Sequence, residues 1–185
     1  MQKEDNPRYI NCEYLIVTTL KEMAIHNNFE NITIKSLCKK AGIDRTTFYL
    51  HYKNIESALF SILNKDNLEF FNKINKSNIQ SIDFLIKEHI LFMVEKGKFF
   101  EKMMSNDNYS YILARNITEY LSLHKEIYTP LKTQNEYEFN VISSHITISY
   151  LSLCKQWIED KKAIPIDNFI KIATNLIKYG INKYI

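Results

Sequence analysis

The stretch Ile32–Glu56, ITIKSLCKKAGIDRTTFYLHYKNIE, decides the fold. Its spacing predicts one helix from Thr33 to Ala41, a turn at Gly42-Ile43 and a second helix from Asp44 to His51. Asp44 is a good N-cap, because its carboxylate can accept an otherwise unpaired N–H in the first turn of the following helix. Gly42 falls where a helix must stop in a left-handed conformation, which glycine adopts without a Cβ penalty. Ile34, Leu37, Cys38, Ile43 and Phe48 supply the apolar contacts between the two helices. Arg45, Thr46, Thr47, Tyr49 and His51 are left pointing elsewhere, and such residues can bond base edges and phosphates. The pattern is a helix-turn-helix, and double-stranded DNA is the leading partner it predicts.

Charge supports that partner locally rather than globally. The formal net charge of the whole chain is only +3. From Thr33 to Lys53, however, the basic residues Lys35, Lys39, Lys40, Arg45 and Lys53 face the single acid Asp44. Positive charge concentrated on the motif is the footprint of a DNA contact surface.

Outward from the motif the chain reads as helices throughout. Ile10, Tyr14, Val17, Leu20 and Ala24 predict a first helix ending near Asn27-Asn28, with Phe29 plugging the junction. After the motif, Ile55, Leu59, Ile62, Leu63, Phe70 and Ile74 mark a long fourth helix that runs out in the polar stretch Lys73–Asn78. Ser81-Ile82-Asp83 starts another helix, which stops at Gly97, and a short segment around Phe99–Met104 follows. Asn106-Asp107-Asn108 caps a helix from Tyr109 to about Tyr128, ended by Pro130. Glu136–Asp160 is rich in β-branched residues, which suit a strand; its length without Gly or Pro favours a buried helix. Pro165 suits the first turn of a last helix. There Ile166, Phe169, Ile170, Ala173, Leu176, Ile177 and Ile181 form an apolar stripe. The expected architecture is all-α, with about nine helices.

Composition agrees and narrows the function classes. Of 185 residues, 3 are Gly and 3 are Pro, too few for the turns of an all-β fold. With 45% hydrophobic residues the chain can bury a large core, so disorder is excluded. Cys12, Cys38 and Cys154 are far apart without C-x-x-C spacing, which suggests reduced thiols and a cytoplasmic location. Cys38 reads as a packing residue between the helices. The histidines show no metal-ligand spacing with the cysteines, so no metal is expected. No apolar run of about 20 residues predicts a membrane span, and no leader peptide is evident. There is no G-x-S-x-G, phosphate-binding glycine loop or spaced carboxylate–histidine set, so neither an enzyme nor a cofactor is expected.

The run F-x-x-I-T-I-x-x-L-x-x-x-A-G-I-x-R-x-T-F-Y-x-H-Y, preceded by one helix and followed by a long one, resembles the tetracycline-repressor (TetR) family of bacterial regulators. The match spans Phe29 to about Leu63. The resemblance implies a DNA-binding domain over residues 8–54, with its motif at 33–52, and a helical ligand-binding and dimerisation domain over 55–185. It implies that the hydroxyl of Thr33 and the amides at its helix start hold a phosphate, with Lys35 near the DNA. Arg45 and Thr46, at the start of the recognition helix, would meet base edges. Thr47, Tyr49 and His51 match positions that contact phosphates or, for the tyrosine, also bases. Relatives commonly carry a phosphate-binding lysine where Ile55 stands here, and Lys53 is the nearby substitute.

The same resemblance implies a homodimer on a palindromic operator and a small-molecule effector that spreads the two reading heads. Phe92, Tyr109, Tyr111, Arg115 and Tyr150 are candidates to line the effector pocket, with ordinary aromatic core as the competing reading. A flat apolar or an anionic effector would suit them. Phe169, Ile170, Ala173, Leu176 and Ile177 would contribute to a four-helix bundle between subunits, with Ser143, Ser144, Ser149 and Ser152 letting helices approach closely. The expected function is a ligand-responsive repressor. The alternative is a coactivator or adaptor of the same fold acting through protein contacts, and Ile55 is the one feature pointing that way.

Overall fold

The structure is a computed structural model that describes residues 6–75, 81–123 and 135–180. Among these, the regular elements are nine α-helices and one 3-10 turn: α1 Pro7–His26, the turn Phe29–Asn31, α2 Ile34–Ala41, α3 Arg45–His51, α4 Ile55–Asn75, α5 Ile82–Lys96, α6 Lys98–Ser105, α7 Asp107–Leu123, α8 Glu136–Glu159 and α9 Ile166–Tyr179. The β-branched run in Glu136–Asp160 is helical, as its length required. The expected helix end near Tyr128 and the stop at Pro130 lie outside the described residues.

The chain forms two compact units, Met1–Lys65 and Asp66–Ile185. They divide inside α4, beyond the 54/55 boundary drawn from the sequence. Ile55, Ala58, Leu59, Ile62 and Leu63, all in the early turns of α4, are buried. Burying such apolar side chains stabilises by about 1.5–3 kcal/mol apiece.

In that first unit, Ile16 and Leu20 of α1, Leu37 and Cys38 of α2 and Phe48 of α3 are buried. Ile16 and Leu20 are one turn apart on α1, as are Leu37 and the buried Ala41 on α2, so each of these helices turns one apolar face inward. Cys38 is buried with desolvation raising its thiol pKa, the state of a packing residue. Of the five expected inter-helix contacts, Ile34 and Ile43 are half-buried and the other three fully so.

The second unit packs longer helices around aromatic rings. Phe70, Phe71 and Ile74 of α4 meet Leu85 and Phe92 of α5, Tyr120 and Leu121 of α7 and Phe139 of α8. Phe71 stacks on Tyr120 with ring centres 4.8 Å apart. A buried amide pair, Asn67 Nδ2 donating to Asn116 Oδ1 at 2.8 Å, ties α4 to α7. Trp157 of α8 stacks on Phe169 of α9 at 4.6 Å and donates to the Ile164 carbonyl at 2.7 Å.

Candidate nucleic-acid interface

Side-chain caps hold both helices of the motif. Thr33 Oγ1 accepts from the Ser36 amide and Ser36 Oγ accepts from the Thr33 amide, each at 3.1 Å, a reciprocal capping box. Gly42 closes α2 at φ 69°, and a Cβ there would meet nothing within 4 Å. The glycine is therefore required by backbone conformation rather than by space. Asp44 accepts from the Thr47 amide at 2.7 Å and from the Thr47 hydroxyl at 2.9 Å. The Thr47 amide is the main reason that the Asp44 carboxyl titrates below its ordinary value. Asn54 and Ser57 form a second reciprocal box at the start of α4, with bonds of 2.7 and 3.0 Å.

With its start fixed, α3 buries Phe48 and leaves Arg45, Thr46, Tyr49 and Leu50 exposed. These lie at i, i+1, i+4 and i+5, a single stripe on the helix. Leu50, 57% exposed, was not among the residues expected from the sequence, although it follows Thr46 by one turn. Lys35, Lys39 and Lys53 are exposed as well, whereas Lys40 is engaged with Glu22 at 2.8 Å.

Three of the expected contact residues carry local duties. The hydroxyls of Thr33 and Thr47 are occupied in caps. The His51 ring is half-buried and stacks on Tyr9 of α1 at 3.8 Å. Its Nδ1 is buried without a partner, and desolvation pushes its pKa down against the pull of Glu13. Beside it, Glu13 accepts from Tyr52 Oη at 3.0 Å and from Lys65 Nζ at 2.8 Å, which fastens α1 to the residues flanking α3. Burial pushes the Tyr52 hydroxyl up to about 12. Ile55, where relatives carry a lysine, is 8% exposed and belongs to the core.

No family model and no curated protein matches the sequence. Solved structures do match the whole fold. FadR from Bacillus subtilis in complex with stearoyl-CoA is 16% identical, over 91% of this chain and 99% of that one, with a TM-score of 0.66. The fatty acid degradation regulator FadR from Bacillus halodurans is 15% identical, over 96% and 97%, at 0.64. A TetR transcriptional regulator from Streptococcus agalactiae is 15% identical, over 96% and 99%, also at 0.64. The fold is that of the TetR regulators. At such identities the likeness is one of fold.

Within this TetR fold the helical unit distributes the remaining candidate residues unevenly. Tyr150 lines a small cavity together with Asn67, Phe70, Phe71, His89 and Thr147. Phe92 is buried beside that cavity, packed on Phe70 at 5.3 Å, and is not part of its wall. Tyr109 is fully buried in the core. Tyr111 and Arg115 line a separate open groove, in which Arg115 lies 3.8 Å from Glu119. On α9, Phe169 and Ala173 are buried within the chain, while Ile170, Leu176 and Ile177 are half-buried. The cavity residues other than Tyr150 carry no sequence signal beyond apolar periodicity. Among the described residues no cluster could hold a metal, and no helix is long and apolar enough to cross a membrane.

Proposed function

We propose that this chain is a DNA-binding transcriptional regulator of the TetR kind, a homodimer that represses from a palindromic operator and is released by a small-molecule effector. It is cytoplasmic and has no catalytic role. The observation that carries this reading is the stripe Arg45, Thr46, Tyr49 and Leu50, exposed on a helix whose start is locked by Asp44. Each subunit inserts α3 into a major groove, with the two recognition helices about 34–36 Å apart to span one helical turn. Arg45 donates to guanine O6 and N7 as a pair. Leu50 offers the apolar surface that suits a thymine methyl. Lys35 and Lys53 neutralise phosphates, and the backbone amides at the start of α2 help hold one.

Thr33, Thr47 and His51 serve this surface mainly by positioning it, since their polar atoms are engaged or their rings packed. The adaptor reading loses its motive, because Ile55 is a core residue rather than an altered contact. An effector bound in the helical unit favours one conformer over another, and its differential affinity is all that can shift the equilibrium. The bundle between subunits draws on α9 through Ile170, Leu176 and Ile177.

The test is retardation of fragments from the chain's own upstream region at low salt. A dimer-sized complex displaced by unlabelled operator supports the proposal. Failure to shift any such fragment at low salt, where phosphate contacts are strongest, defeats it.

A further inference from the structure

The helical unit contains a partly open cavity of about 40 Å³ walled by α4, α5, α7 and α8. Most of the wall is aliphatic or aromatic, and among the described residues that line it none is Asp, Glu, Lys or Arg. The rings of His89 and Tyr150 meet there, 5.1 Å apart and edge to face. Tyr150 is 5% exposed, and its hydroxyl has no partner other than the thiol of Cys154, a weak acceptor. A buried hydroxyl donor without a strong acceptor is unusual in a native core, and it leaves Tyr150 able to donate to a bound molecule.

We propose that this cavity is the effector site and that it takes a small, uncharged, largely apolar molecule whose single oxygen accepts a hydrogen bond from Tyr150. The inference rests on the ligand-responsive reading above. An anion in this cavity would lose its hydration and meet no cation. Burial pushes His89 down to about 4, so at neutral pH its ring adds no positive charge. The groove holding Arg115 is of another kind, about 530 Å³, open and bordered by charged side chains. As it stands the cavity has room for a water or two. An effector must therefore push the wall apart, against the buried Asn67–Asn116 bond that ties α4 to α7.

The test titrates the full chain, labelled at isoleucine methyls, with hexanol and with hexanoate at neutral pH. Hexanol should shift the methyls of Ile86, Ile117 and Ile146, which line the cavity, and leave those of Ile10 and Ile148 unmoved. Hexanoate should bind about tenfold more weakly or not at all. Tyr150→Phe should weaken hexanol about tenfold, the scale of one lost hydrogen bond. It should leave the Tm of the empty chain nearly unchanged, since the hydroxyl gives up only the weak thiol acceptor of Cys154. Ile117→Phe, which fills the cavity from a half-buried position, should abolish the shifts. Equal binding of alcohol and carboxylate, or wild-type hexanol binding by Tyr150→Phe, overturns the proposal. DNA retardation on the same sample separates the two readings. Hexanol binding without DNA binding defeats the regulator and keeps the site, whereas DNA binding without hexanol shifts does the reverse.

Discussion

The motif-bearing unit, the proposed reading head, and the helical unit are built from the same secondary structure under opposite demands. In the head the helices of the motif are short, and side chains tie down their starts: Thr33 with Ser36, Asp44 with Thr47, Asn54 with Ser57. Its central ring, Phe48, has no accessible surface. The helical unit relies on long helices and stacked rings, and it leaves a void beside Tyr150. A surface that reads base edges needs side chains held within a fraction of an ångström. A site that must admit a ligand and respond to it needs slack, and slack costs packing.

Paired truncations test this contrast most severely. Phe48→Ala should cost about 3–5 kcal/mol and unfold the head, seen as loss of cooperative urea denaturation. Leu121→Ala, in a wall that already borders a void, should cost about 2–3 kcal/mol. A wall truncation costlier than the head truncation would break the comparison.

Acid should act next, and on the helical unit. His89 titrates near 4 in the fold against about 6.5 unfolded. Its folded pKa is depressed, so protons favour the unfolded chain. Stability is full above about pH 6.5 and falls until about pH 4, by about 2–3 kcal/mol. Urea midpoints across that range should decline for the native protein and much less for His89→Phe.

A third effect concerns recognition alone. Arg45→Ala should lose about 1–3 kcal/mol of discrimination at one base position, measured by anisotropy on matched and mismatched operators, with folding unchanged. Lys53→Ala should instead weaken all sequences alike and lower the salt slope. Identical behaviour of the two variants would remove Arg45 from the base-reading role.

The smallest effect lies in the fastening of α1. The hydrogen bond from Lys65 is the main reason Glu13 titrates below 4.5. Its contribution is present above that value and is lost as pH falls through the lower folded one. Because the pair is largely solvated, Glu13→Gln should cost under about 1 kcal/mol at pH 7, and nothing at pH 2. A larger penalty would mean that α1 positions the recognition helix more firmly than exposed ion pairs allow.

What could be read in advance follows from the range of each interaction. The motif, its glycine turn, the Asp44 cap and the helical character of Glu136–Glu159 depend on residues within about four positions of one another. The stripe of Arg45, Thr46 and Tyr49 was legible for that reason, and Leu50 follows once the helix phase is known. Which of the aromatic candidates share a cavity was not, because aromatic type alone does not distinguish Tyr109, fully buried in the core, from Tyr111, 67% exposed. Nor does a sequence show that Ile55 packs inward or that His51 lies on Tyr9.

By itself, then, the sequence determined the order of the helices, the caps that start those of the motif, and which face of α3 stays exposed. Tertiary structure alone decided which of those faces close on one another and where they fail to. The cavity at Tyr150 is such a failure, bounded by residues from Asn67 to Tyr150 that meet only when four helices pack. A cap is a property of neighbours in the chain, whereas a void belongs to the space between elements, and no local pattern encodes it.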